Sequence, residues 1–191
     1  MLTLFSMQIK KNLVAFLFFI AFIFGGIESL YAQSEIAPAD ARGAEYRIHC
    51  IYIYNFTKYI QWPSDYGSGD FTIGIVGETG LADELKKMAS VKTVNGRKMV
   101  IKRYNSVNEV DKICPMLILP AQSSDFLSNA LKSCGKNTLI ITQKAGLAKT
   151  GSPINFVSMD GKPKFEMNTT VLDKTDLKVL TQLKSIAIVV N

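Results

Sequence analysis

The chain has 191 residues, with 22 Lys and Arg against 16 Asp and Glu, a formal net charge of +6, three Cys and one His. A single histidine excludes a zinc site built on histidines, and no CxxC pair or Cys/His spacing offers another metal site. The length predicts one domain of ordinary size, able to bury a core without a covalent staple.

Residues 1–32 read as a secretory signal peptide. Lys10-Lys11 open it, the apolar run Leu13 to Phe24 follows, and Ala32 supplies a small residue at the cut point before Gln33. The uninterrupted run is about a dozen residues, short of the ~20 that span a bilayer. The competing reading is a retained N-terminal anchor. No Cys follows the run, so a lipid-anchored product is not indicated. Removing Lys10, Lys11 and Glu28 with the signal leaves the remainder mildly basic. Outside the cytoplasm that excess suits acidic envelope surfaces or proteins better than nucleic acid, and solubility alone explains it equally well.

The expected domain covers residues 33–191. Gln33 to Ala39 reads as a loose N-terminus. From Asp40, a potential N-cap, to Gln61, apolar residues recur at helical spacing: Ala41, Ala44, Ile48, Ile51, Tyr52, Phe56, Tyr59 and Ile60. Trp62-Pro63 ends this helix, because the residue before proline is pushed out of the α region. Phe71 to Gly77 reads as a strand, Gly77 to Gly80 as a turn and Leu81 to Ala89 as a helix. Asn95-Gly96 signals a hairpin turn, and Met99 to Tyr104 alternates as a half-exposed strand does. A short helix is expected over 105–112, then a buried strand from Met116 to Pro120. Ser123 or Ser124 is expected to cap a helix running to Cys134 and stopped by Gly135, and Thr138 to Thr142 reads as another buried strand. Ile154 to Ser158 and Lys164 to Met167, joined by Asp160-Gly161-Lys162-Pro163, read as an antiparallel hairpin. A final helix is expected from Leu172 or Asp173, with Leu177, Leu180, Leu183 and Ile186-Ala187 on its apolar side. The alternation predicts a mixed α/β fold: a mainly parallel sheet flanked by helices, a Rossmann-like sandwich, with a late antiparallel hairpin.

On that scaffold Cys114 starts a strand and Cys134 ends the helix after it. The strand advances roughly 17 Å and the helix returns about as far, so both should lie at one end of the sheet. A Cys114–Cys134 disulfide closing about twenty residues contributes roughly 3 kcal/mol in the chain-entropy picture. Three free buried thiols are the alternative. Cys50, mid-helix, reads as a small buried hydrophobe.

Little chemistry is on offer. The only histidine, His49, lies inside the first helix, where packing or surface roles are commoner than catalysis, and no G-x-S-x-G elbow occurs. Gly74-x-x-Gly77-x-x-Gly80 follows a strand and precedes a helix but lacks the phosphate-loop pattern, so it reads as a tight turn. The densest feature is the aromatic run Tyr52, Tyr54, Phe56, Tyr59 and Trp62. It reads as core packing, or as a ligand or partner surface in which Tyr54, Phe56, Tyr59 and Trp62 are the binding residues. No cofactor is expected.

Tyr52-Ile53-Tyr54-Asn55-Phe56-Thr57-Lys58-Tyr59-Ile60-Gln61-Trp62-Pro63 resembles the opening signature of the YfiR-like family of bacterial periplasmic proteins. Val94-Asn95-Gly96-Arg97 resembles its "V-x-G-R" turn. Ile154-Asn155-Phe156-Val157, Asp160-Gly161-Lys162 and Phe165-Glu166-Met167-Asn168 resemble its "INFV", "DGK" and "FEIN" pieces. The likeness runs from about Tyr46 to Val190; the final segment departs where the family often has a Ser-Ser pair and a double leucine. The resemblance implies a periplasmic, non-catalytic α/β domain, often a homodimer. It also implies a repressor that binds the periplasmic sensor region of an inner-membrane diguanylate cyclase (or a kinase-type sensor), lowers cyclic di-GMP and limits biofilm. An outer-membrane lipoprotein can sequester such a repressor. The second reading is a periplasmic small-molecule-binding sensor module, which predicts an enclosed pocket where the first predicts an exposed apolar patch.

Overall fold

The computed structural model describes residues 38–66 and 68–191. The expected signal peptide and its cut after Ala32 lie outside them. In chain order the elements are α1 (Pro38–Tyr59), β1 (Ile60–Gln61), β2 (Phe71–Val76), α2 (Leu81–Ala89), β3 (Thr93–Val94), β4 (Arg97–Tyr104), β5 (Met116–Leu119), α3 (Leu127–Ser133), β6 (Leu139–Thr142), β7 (Ile154–Met159), β8 (Lys162–Asn168), α4 (Thr169–Leu172), β9 (Lys178–Val179), α5 (Thr181–Lys184) and β10 (Ile188–Val190).

Eight strands form one sheet in the order β10-β8-β7-β6-β5-β2-β4-β3. From β4 to β7 every neighbouring pair is parallel. The β7–β8 and β3–β4 hairpins are antiparallel, and β10 joins β8 in parallel. The expected mixed, mainly parallel sheet with a late antiparallel hairpin is therefore the fold. Every residue of β5 and β6 is buried, as befits strands covered on both faces. The pleat divides them. Ile73, Ile75, Met116, Ile118 and Ile141 face a core shared with α1 and α2. Val76, Leu117, Leu119 and Ile140 face a second core under α3. Gly74 lies in β2, and a Cβ there would come within 2.8 Å of Tyr104 Cε2 and 3.0 Å of both Cys114 Sγ and Leu117 Cδ1. Only glycine lets these side chains close over the strand.

Several elements differ from the sequence reading. α1 starts at Pro38, so Asp40 is inside it, and it ends at Tyr59 because Ile60 and Gln61 pair with Val179 and Lys178. Its buried face is also rotated. His49, Cys50, Ile53, Phe56 and Thr57 point inward, as does Ile60 just past its end, whereas Ile51 is 59% exposed. The 105–112 segment holds one 3-10 turn, Val107–Glu109. Ser123 and Ser124 do not cap α3 through their side chains. They lie in a 3-10 segment, Ala121–Phe126, and their hydroxyls donate to Val76 O (2.8 Å) and Leu119 O (2.9 Å), tying the end of β5 to β2. The expected final helix is instead α4, β9, α5 and β10 in succession. Its break is local: Asn168 caps α4 by accepting from Val171 N (2.8 Å), and Leu180 N bonds Tyr59 O (2.9 Å), drawing the chain back beside β1.

The structure carries Cys50, Cys114 and Cys134 as free thiols, so the expected Cys114–Cys134 bond is not formed in it. Both residues do belong to the second core. The Cys114 thiol, however, is fully buried and donates to Met116 O (3.2 Å), at the start of the strand that follows it, while Cys134 stays half-exposed.

Candidate functional site

The aromatic run does not converge on one surface. Phe56 is fully buried, packed edge-on against Phe165 with centroids 5.1 Å apart. Tyr54 is half-buried, with Lys58 Nζ 4.3 Å from its ring centre, and Tyr59 packs against the edge of the core. Trp62 is half-buried: its indole N–H donates to Pro115 O (2.8 Å) and its ring meets Phe71 edge-on at 5.1 Å. It lines a crevice with Lys58, Tyr66 and Arg97. Arg97, the last residue of the Val94–Arg97 turn, bonds four carbonyls of the loop before β2. Nε reaches Gly69 O (2.7 Å), the two terminal nitrogens reach Tyr66 O, and Ser68 O and Asp70 O (3.0 Å each). A guanidinium with all its reach spent on backbone is a staple for that loop.

A second crevice, of about 570 Å³, opens where β6 ends. β7 pairs with β6 only through Ile154 and Asn155, so Phe156–Met159 run past the last β6 residue with no strand on that side. A crevice beyond the carboxyl ends of parallel strands is where open α/β sheets place ligands. α1 supplies the opposite wall with Arg42, Glu45, Tyr46 and His49. Tyr46 fits because Gly80 has no side chain: a Cβ there would lie 2.9 Å from Tyr46 Cε2. The floor is anchored by the Asn155 side chain, whose Oδ1 accepts from Thr142 Oγ1 (2.7 Å) and Lys144 N (3.3 Å) and whose amide donates to Glu166 Oε2 (2.9 Å). The residues behind the "INFV" and "FEIN" likeness thus set the end of β6 against β7 and β8.

His49 sits in this wall at 2% exposure, stacked on Phe156 with ring centres 4.1 Å apart and planes 5° apart. Its Nδ1 lies 3.4 Å from the Gln143 amide nitrogen, which can donate to it, so the ring proton belongs on Nε2. Nε2 is buried and has no hydrogen-bond partner. Glu45 Oε1 stands 3.7 Å away, within ion-pair reach but beyond hydrogen-bonding distance. Burial outweighs that carboxylate and pushes the imidazole down to about 4, so the ring is neutral at ordinary pH. In the sequence alone His49 reads as a packing or surface residue rather than a base. The signal that could have marked it was the Glu45/His49 spacing of four, which puts both on one helix face.

Among the described residues no three His, Cys, Asp or Glu side chains gather as a metal site requires. No helix among them is long and apolar enough to cross a membrane.

No curated protein matches the chain. Among solved structures it resembles a conserved domain protein from Vibrio cholerae O1 biovar El Tor strain N16961. The TM-score is 0.52 at 11% identity, over 76% of this chain and 60% of the other, a likeness of fold alone. The YfiR/HmsC-like family, periplasmic and regulatory rather than catalytic, matches residues 46–188. That match spans most of the chain, which therefore belongs to the YfiR/HmsC-like family.

Proposed function

We propose that the protein is an exported, non-catalytic repressor that binds the periplasmic sensor region of an inner-membrane diguanylate cyclase and holds cyclic di-GMP synthesis down. The observation that carries this reading is the family match over residues 46–188. The mechanism is linkage. A protein that binds only the inactive state of the sensor shifts its equilibrium by the difference in its affinity for the two states. To move a sensor from mostly active to mostly inactive, that difference must be about 10⁴-fold. Sequestration by an outer-membrane lipoprotein would relieve the repression, and the repressor would act as a homodimer. The test is a titration of the purified exported protein against the isolated sensor region of a cyclase from the same cell. Saturable binding that weakens when the sensor is locked active supports the proposal. Binding that does not distinguish the two states contradicts it.

A further inference from the structure

The helix α1 is apolar on two sides, and the fold covers only one of them. Its inward side is the buried set around Ile53 and Phe56. On the other side Ala44, Ile48, Ile51, Asn55 and Tyr59 follow one another at steps of three and four residues, which makes them a single stripe. Ile51 is 59% exposed and the other four are half-buried. Ile48 and Ile51 lie outside both cores. A helix that is apolar all round is one that is covered all round, and here the second cover is missing from the chain itself.

The two edges of the stripe differ in charge. Arg47 and Lys58 are exposed along one edge, with Tyr54 between them. Lys58 Nζ and Lys92 Nζ stand 4.3 and 5.8 Å from the Tyr54 ring centre, so Lys92 joins the same edge, preceded by Val91 at 76% exposure. None of Arg47, Lys58 and Lys92 makes an ion pair among the described residues. The one carboxylate of α1 between Ala44 and Tyr59 is Glu45, on the opposite edge beside His49. On α2, Asp83 and Glu84 are already paired with Lys86 and Lys87.

This pattern fits an apolar partner edged with carboxylates. The stripe runs about four turns, roughly 22 Å, and the face offers no strand edge to hold an extended peptide, so a helix is the element that matches it. A second copy packed antiparallel on α1 would set one cationic edge against the other, like against like. A bilayer is a poorer match, because Ile48 and Tyr59 are half-buried and only Ile51 projects from the stripe.

We propose that the outer face of α1 docks an acidic amphipathic helix of the cyclase's periplasmic sensor region, with Ile48 and Ile51 under its apolar side and Arg47, Lys58 and Lys92 against its carboxylates. This inference rests on the repressor reading and names the surface that reading would use.

The purified exported protein and two variants, Ile51→Glu and Arg47→Glu/Lys58→Glu, are titrated against the isolated sensor region of a cyclase from the same cell. All three substitutions are at exposed positions, so the denaturation midpoints should stay at the wild-type value. Ile51→Glu should weaken binding at least tenfold, and the double variant should weaken it and lose the salt dependence that the wild type shows. If the wild type does not bind the sensor, the repressor reading fails and this proposal with it. If the wild type binds and both variants bind equally well, the repressor reading stands and the α1 face is overturned. A loss confined to a variant whose midpoint falls also overturns it. So does a dimer that Ile51→Glu converts to monomer in sedimentation, or attachment to phosphatidylglycerol vesicles that Ile51→Glu abolishes, since the face would then belong to a second copy or to a membrane.

Discussion

His49 ties the stability of the fold to pH. Its imidazole is held down at about 4 by burial, against an ordinary value of 6.5. Between those values the unfolded chain carries a proton that the folded one does not. Stability is therefore full above pH 6.5 and falls as the pH drops toward 4, by up to about 3 kcal/mol. Asp111, held below its usual range by Lys102 and Tyr104, loses its contribution at lower pH still. Urea unfolding at pH 7, 6, 5 and 4 should show the loss, and His49→Phe, which keeps a ring to stack on Phe156, should flatten it. The thiols give a second test at this scale. Burial pushes Cys50 and Cys114 up to about 12 and raises Cys134 less, and Cys134 is the more exposed. Alkylation of the native protein at pH 8 should label Cys134 first and leave the other two until unfolding, since only the thiolate reacts. If neither Cys134 nor Cys114 is labelled before reduction, the two are bonded in the exported protein.

At the scale of elements, stability depends on how closely the sheet is covered. Gly74→Ala should cost about 1–3 kcal/mol, because its Cβ would press on Tyr104, Cys114 and Leu117, which close the second core. Trp62 joins the end of α1 to the chain before β5 through Pro115 O and to β2 through Phe71. Trp62→Phe keeps a ring and loses the indole donor, so a fall of about 1 kcal/mol is expected in a chemical denaturation curve. A midpoint unchanged by Trp62→Phe, with repression lost, would mark Trp62 as a partner contact instead. Arg97→Lys should loosen the loop before β2, since an ammonium cannot reach four carbonyls at once, and faster amide exchange at Ser68–Asp70 is the readout.

For the molecule as a whole, the sequence was most legible where both faces of a strand are buried. Met116–Leu119 and Leu139–Thr142 are almost wholly apolar because helices cover them on either side, and the β-turn at Asn95-Gly96 follows from two residues at positive φ. It was least legible where polarity and burial part company. His49 and Thr57 are polar and buried, and Ile51 is apolar and exposed, so the apolar stripe of α1 finds Phe56 and Ile60 in the core but misses part of the buried face. The leucines at 177, 180 and 183 keep helical spacing, yet pairing with Ile60–Gln61 takes Lys178–Val179 into a strand. That contact spans more than a hundred residues and leaves no local trace. The His49 crevice was hidden for the same reason, since its walls come from α1, the loop after β6 and β7.

The central claim is repression of a membrane diguanylate cyclase, and the most direct measurement is intracellular cyclic di-GMP with and without the gene. Deletion should raise the nucleotide, and restoring the exported protein should lower it again. An unchanged level after deletion, in cells where the cyclase is present and active, would contradict the account.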